Sequence, residues 1–153
     1  MSFNVFELPR APHWRVLVAH KDNGVRHTLR SLIESSNIAV IEAGEGEAAL
    51  GILELSRFHL LVLQLDLPVR DGVTVMQVHR LLLAHQRPRV DPPAVIFSLA
   101  PEVRSNATLT DYLLGLGAYG FIDDVPQPEV VGLVHSALQT RSLQLSGDNP
   151  AVG

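Results

Sequence analysis

Short apolar runs of strand length alternate with longer segments of helical apolar spacing along this chain, and that alternation leaves few ways to fold it. Arg15-Val-Leu-Val-Ala19 reads as a buried strand. Asn23 to Ser36 follows with Val25, Leu29, Leu32 and Ile33 at helical spacing, and Asn23 as its N-cap. Ile38-Ala-Val-Ile41 is a second strand, and Gly44 to Ser56 a helix with Ala48, Ala49, Ile52 and Leu53 inward. Leu60-Leu-Val-Leu63 is a third strand, apolar throughout, as a strand covered on both faces must be. Val73 to Arg87 is a helix that ends at Arg87-Pro-Arg-Val-Asp-Pro-Pro93, where three prolines in seven residues cannot continue it. Ala94-Val-Ile-Phe97 is a fourth strand. Thr108 to Leu116 is a helix with Leu109, Tyr112, Leu113 and Leu116 inward, and Phe121-Ile122 a short fifth strand. The last helix runs from Pro128 to about Leu145, proline suiting a first turn because its missing N–H needs no partner there. Five strands alternating with five helices predict an α/β, doubly wound parallel sheet covered on both faces.

Composition narrows the function classes. The chain has 153 residues, 46% apolar and 18% charged, enough for one domain with a substantial core. Residues 1–13 read as an N-terminal tail, 14–145 as the domain and 146–153 as a C-terminal tail or linker, with the option of a further domain beyond it. A formal net charge of −4 argues against a nucleic-acid partner. With no cysteine there is no disulfide, thiolate metal site or thiol nucleophile. No apolar run reaches about 18 residues and the N-terminus lacks a secretory pattern, so no membrane association is expected and a cytoplasmic location is the default.

In a doubly wound sheet the working crevice lies beyond the carboxyl ends of the strands. The reading above places His20, Lys21 and Asp22 there after the first strand. Gln64 and Asp66 follow the third, Ser98 and Leu99 the fourth, and Asp123 and Asp124 the fifth.

Four stretches carry a family resemblance. They are Arg15 to Arg26, Ala43-Gly-Glu-Gly-Glu-Ala-Ala-Leu50, Leu61-Val-Leu-Gln-Leu-Asp-Leu-Pro-Val-Arg-Asp-Gly72, and Gly117 to Glu129. Together they resemble the receiver domain of bacterial response regulators, over roughly residues 14–141. The resemblance implies a flavodoxin-like (βα)5 fold with strand order 2-1-3-4-5, and a place in two-component signal transduction. It also implies where the family's phosphorylation machinery would fall, and at each of those places this chain departs. The acidic pair that holds Mg²⁺ falls on His20 and Lys21. The phosphoacceptor aspartate falls on Gln64. The hydroxyl residue after the fourth strand falls on Leu99, or on Ser98 if the register slips by one residue. The lysine after the fifth strand falls on Asp124.

Phosphoryl transfer to a carboxylate needs an in-line nucleophile, a divalent ion on the phosphoryl oxygens and donors that neutralise developing charge. An amide such as Gln64 has no anionic oxygen to attack phosphorus, and a protonated Lys21 repels Mg²⁺, which takes hard oxygen ligands. The expectation is a degenerate, atypical pseudo-receiver: no enzyme, no catalytic residues, no metal, no cofactor, and signalling independent of phosphorylation. Asp66 reads as a loop carboxylate rather than a displaced acceptor, and Asp71-Gly72 as a structural turn. His20 has no second histidine at ligand spacing and reads as a polar residue at a loop edge. Because the charges of Lys21 and Asp124 look exchanged relative to the family, Lys21 is expected to reach Asp124 or Asp66 and fill the metal site with its own cation. The alternative is two independent solvated charges.

Two functions follow from different classes. The first is a protein–protein interaction module, with a second copy of the chain (a homodimer) as one partner to consider, using the last helix, the fifth strand and the helix before it. Its candidate residues are Thr110, Tyr112, Phe121, Val125, Gln127 and Val131. The second is small-molecule or ion sensing in a crevice lined by His20, Gln64, Ser98 and Asp124.

Overall fold

Every residue of the third strand is buried, and the two faces of that strand feed two separate cores. Leu61 and Leu63 join one core; Leu60 and Val62 join the other. The computed structural model describes residues 13–147, with side chains to 141. Its strands are β1 (Trp14–Ala19), β2 (Ile38–Ala43), β3 (Leu60–Gln64), β4 (Ala94–Leu99) and β5 (Gly120–Asp123). Its helices are α1 (Asn23–Ile33), α2 (Gly46–Leu55), α3 (Gly72–Ala84), α4 (Pro101–Arg104), α5 (Ala107–Gly115) and α6 (Val130–Gly147). All strand pairings are parallel and the order is β2-β1-β3-β4-β5, the expected doubly wound arrangement.

The pleat sorts the side chains. Leu17, Ala19, Leu61, Leu63, Val95, Phe97 and Leu99 face α2, α3 and α5, packing with Ala49, Leu53, Val75, Met76 and Leu113. Val16, Val18, Val40, Ile96 and Ile122 face α1 and α6, packing with Leu29, Ile33, Val134 and Leu138. A one-residue register slip would exchange the two sets and, with them, the residues at the crevice.

Several local expectations change. Asp22, not Asn23, caps α1, its carboxylate accepting the Val25 N–H at 2.9 Å. A carboxylate at a helix start also meets the positive end of the helix dipole. Ala48 and Tyr112 point outward rather than inward. The proline-rich segment ends α3 at Ala84, three residues early. The short helix α4 was not anticipated, although Pro101 in its first turn with Glu102 beside it is a start signal. Helix α6 runs on through Ser146 and Gly147, which had been read as tail. The expected N-terminal tail through residue 12, and residues 148–153, lie outside the described residues. Among the described residues no helix is long and apolar enough to cross a membrane.

The β3–α3 loop is held by two close approaches. A Cβ on Gly72 would sit 2.5 Å from the Gln64 carbonyl oxygen, and one on Gly46 only 2.0 Å from that of Arg70. The Gly46 N–H donates to the Pro68 carbonyl at 2.9 Å, so the loop is pinned to the start of α2. Between these anchors Val69 has φ 69°, a left-handed conformation that a β-branched side chain rarely takes.

Candidate functional site

The ends of β1, β3, β4 and β5 converge on four polar residues, and each is held by a different neighbour. His20 follows β1 and is 3% exposed. Its Nδ1 accepts the Asp22 N–H at 3.1 Å, and the Arg26 guanidinium donates to its carbonyl at 2.5 Å. Its Nε2 is buried without a hydrogen-bond partner and lies 3.6 Å from Asp124 Oδ1. Burial holds the His20 pKa below its ordinary value; the Asp124 carboxylate opposes that shift without overcoming it.

Gln64 closes β3 and is 2% exposed. Its Oε1 accepts the Lys21 backbone N–H at 2.8 Å, which ties β3 to the β1–α1 loop. Ser98 pairs with Gln64 in the sheet register, and its hydroxyl donates to Asp124 Oδ1 at 2.6 Å. Of the two residues weighed after β4, Ser98 thus reaches the crevice, whereas Leu99 is fully buried in the core beside α5. Asp124 is further fixed by its N–H donating to the Leu99 carbonyl at 3.0 Å.

Two expectations about this cluster fail. Lys21 is exposed and makes no ion pair among the described residues, with either Asp124 or Asp66. The group that approaches Asp124 is His20, one residue earlier, because alternate residues of an extended chain point to opposite sides. His20 is accordingly no loop-edge residue but a buried member of the site. Arg26 braces the β1–α1 loop through His20 and Asn23, and lies 3.5 Å from Glu42.

Beyond these residues opens a cavity of about 500 Å³, lined in part by Lys21, Gln64, Asp66, Ser98, Glu102 and Asp124. Asp66 is exposed on its wall, while Asp71 is occupied as the N-cap of α3, accepting the Thr74 N–H at 2.8 Å. The donors do not fit a divalent cation. A buried imidazole and an ammonium group follow β1, a neutral amide closes β3, and among the described residues no three His, Asp or Glu side chains are placed to hold a metal ion.

The candidate interaction residues divide by exposure. Tyr112 is 57% and Val125 69% exposed; Gln127 is exposed too, whereas Thr110, Phe121 and Val131 are half-buried. The Thr110 hydroxyl is turned back onto the Asn106 and Ala107 carbonyls of its own helix. Phe121 and Gln127 line a cavity of about 510 Å³ together with Arg104, Asp123, Glu129 and Leu133. The sequence reading missed Arg104, because α4 was not foreseen beside β5, and it missed the exposed Leu114 on α5.

Comparison with known proteins agrees with this architecture. A family model described as the response regulator receiver domain matches residues 16–124. No curated protein matches the chain. Among solved structures, the receiver domain of AraT, a response regulator from Geobacillus stearothermophilus, is 21% identical. The match covers 90% of this chain and 99% of that one, with a TM-score of 0.70. The signal receiver domain of the putative response regulator NarL from Mycobacterium tuberculosis is 21% identical over 84% of this chain and 98% of that one, with a TM-score of 0.69. NtrX from Brucella abortus, solved with ATP, is 18% identical over 88% of this chain, with a TM-score of 0.72; the match spans only 29% of NtrX. At such identities these structures speak to the fold alone.

Proposed function

The chain belongs to the response regulator receiver domain family of two-component signalling, and we propose that within it this chain is a pseudo-receiver, signalling through a protein partner without being phosphorylated. The observation that carries this reading is Gln64. The residue that closes β3 at the crevice is a neutral amide, buried and committed through its oxygen to the Lys21 N–H. No carboxylate stands at that position to attack phosphorus, and Asp66, two residues on, is exposed, with no three His, Asp or Glu side chains placed to hold a metal ion among the described residues. On this reading the domain is not an enzyme and takes no cofactor.

The partner is proposed to dock on α4, α5 and β5, where Tyr112 and Val125 expose apolar surface beside the cavity under Phe121. Incubation with acetyl phosphate and Mg²⁺ followed by intact-mass measurement is expected to leave the mass unchanged. A gain of one phosphoryl group would end the proposal. Docking is tested by pull-down with the wild-type chain against a folded Tyr112→Ala, Val125→Glu variant, which is expected to lose the partner.

A second reading draws on the open cavity of about 500 Å³ beside Gln64 and Asp124. A ligand-sensing crevice needs room and converging polar groups, and this one has both. Thermal stabilisation by a defined small molecule, lost in Asp124→Ala, would move the weight to that reading.

A further inference from the structure

His20 is placed between two groups that ask for opposite protonation states. Its Nδ1 accepts the Asp22 N–H, so the neutral ring carries its proton on Nε2. That Nε2–H is buried, has no hydrogen-bond partner and points toward a carboxylate 3.6 Å away, too far for a hydrogen bond. The charged groups around the ring are Asp22 and Lys21 from the β1–α1 loop, Arg26 from α1, which binds the His20 carbonyl, and Asp124 after β5. Gln64 from β3 and Ser98 from β4 complete the cluster as neutral partners of Lys21 and Asp124.

We propose that His20 is a proton-operated latch that exchanges the Asp22 amide for the Asp124 carboxylate. A proton added to the ring goes to Nδ1, the only nitrogen with a free lone pair, and converts that acceptor into a donor. The Asp22 N–H then faces an N–H and must turn away, although Asp22 is also the cap of α1. At the same time the ring becomes a cation and attracts Asp124 Oδ1, which Ser98 already holds. Protonation therefore loosens the start of α1 and tightens the chain that leads from Asp124 into Val125 and Gln127. Only the last link, to a partner at that face, rests on the function proposed above; the ring chemistry does not.

Nitrogen-15 NMR of the full chain, titrated from about pH 8 to about pH 4, tests the latch. The neutral ring is expected to carry its proton on Nε2. The amides of Asp22, Val25, Asp124 and Val125 are expected to shift with the ring midpoint, which lies below the ordinary histidine value. In His20→Asn, whose side-chain oxygen still accepts the Asp22 N–H, those four amides should stop following that midpoint. In Asp124→Asn the ring midpoint should fall further, because the opposing carboxylate is gone. The proposal is overturned by a proton resting on Nδ1, by a ring that titrates without the Asp22 amide, or by a ring that stays neutral until the chain unfolds. Partner binding measured at both ends of the pH range separates the outcomes. A latch that titrates without changing binding overturns the link to Val125 and leaves the ring chemistry standing, while a bound partner with no titrating ring overturns the latch and leaves the proposed function standing.

Discussion

The side-chain oxygen of Gln64 accepts the backbone N–H of Lys21 at 2.8 Å, joining the end of β3 to the loop after β1. This contact lies where the adjacent strands β1 and β3 leave the sheet, beside the crevice.

Gln64→Leu keeps the volume and removes the acceptor. The Lys21 N–H loses its acceptor at the crevice edge, and the loss is expected to be about 1 to 3 kcal/mol of unfolding free energy. Urea denaturation measures it as a lower midpoint at unchanged slope.

Two glycines of one helix should respond in opposite directions to the same substitution. Gly46→Ala drives a methyl group into the Arg70 carbonyl, 2.0 Å away, and should cost about 3 kcal/mol or displace the β3–α3 loop. Gly51→Ala meets nothing within 4 Å and should stabilise α2 by about 0.5 to 1 kcal/mol. Thermal melts of the two variants side by side check the contrast.

Val69 holds φ 69° while its side chain is 73% exposed, so it has strain without compensating burial. Val69→Gly relieves the left-handed penalty of roughly 1 to 2 kcal/mol and gives back part of it through the more flexible unfolded chain. A net gain of about 1 kcal/mol is expected from the denaturation midpoint.

The domain should lose stability in mild acid through its buried histidines. Burial depresses the pKa of His20, His59 and His79 below the ordinary histidine value of about 6.5. The unfolded chain therefore takes up these protons first. Their contribution is whole above pH 6.5, falls as pH drops through that value, and levels off below the depressed folded values. His79→Leu, which fills the same buried position on α3 without titrating, should flatten that fall. Denaturation midpoints measured across this range decide it.

Arg80 has a structural role that its sequence position does not announce. Its guanidinium donates to the Leu116 and Gly117 carbonyls at 2.6 and 3.2 Å, satisfying the open end of α5. Its partners are 36 and 37 residues away, and no local pattern announces them.

What this chain determined by itself was its layering and its departures at the crevice. Five apolar runs such as Leu60–Leu63 can be buried only between two layers of helices, and Gln64 is an amide wherever it is placed. Elements were legible to within a few residues because apolar spacing follows from backbone geometry. Their ends were less so, since caps such as Asp22 compete with neighbours such as Asn23 of nearly equal capping strength. The tertiary structure alone decided that His20 rather than Lys21 approaches Asp124, that Ser98 rather than Leu99 lines the crevice, and that α4 stands beside β5. Each depends on which side of a strand a residue faces and on which distant strand lies next to it. Sheet register sets both, and packing of the whole chain sets the register.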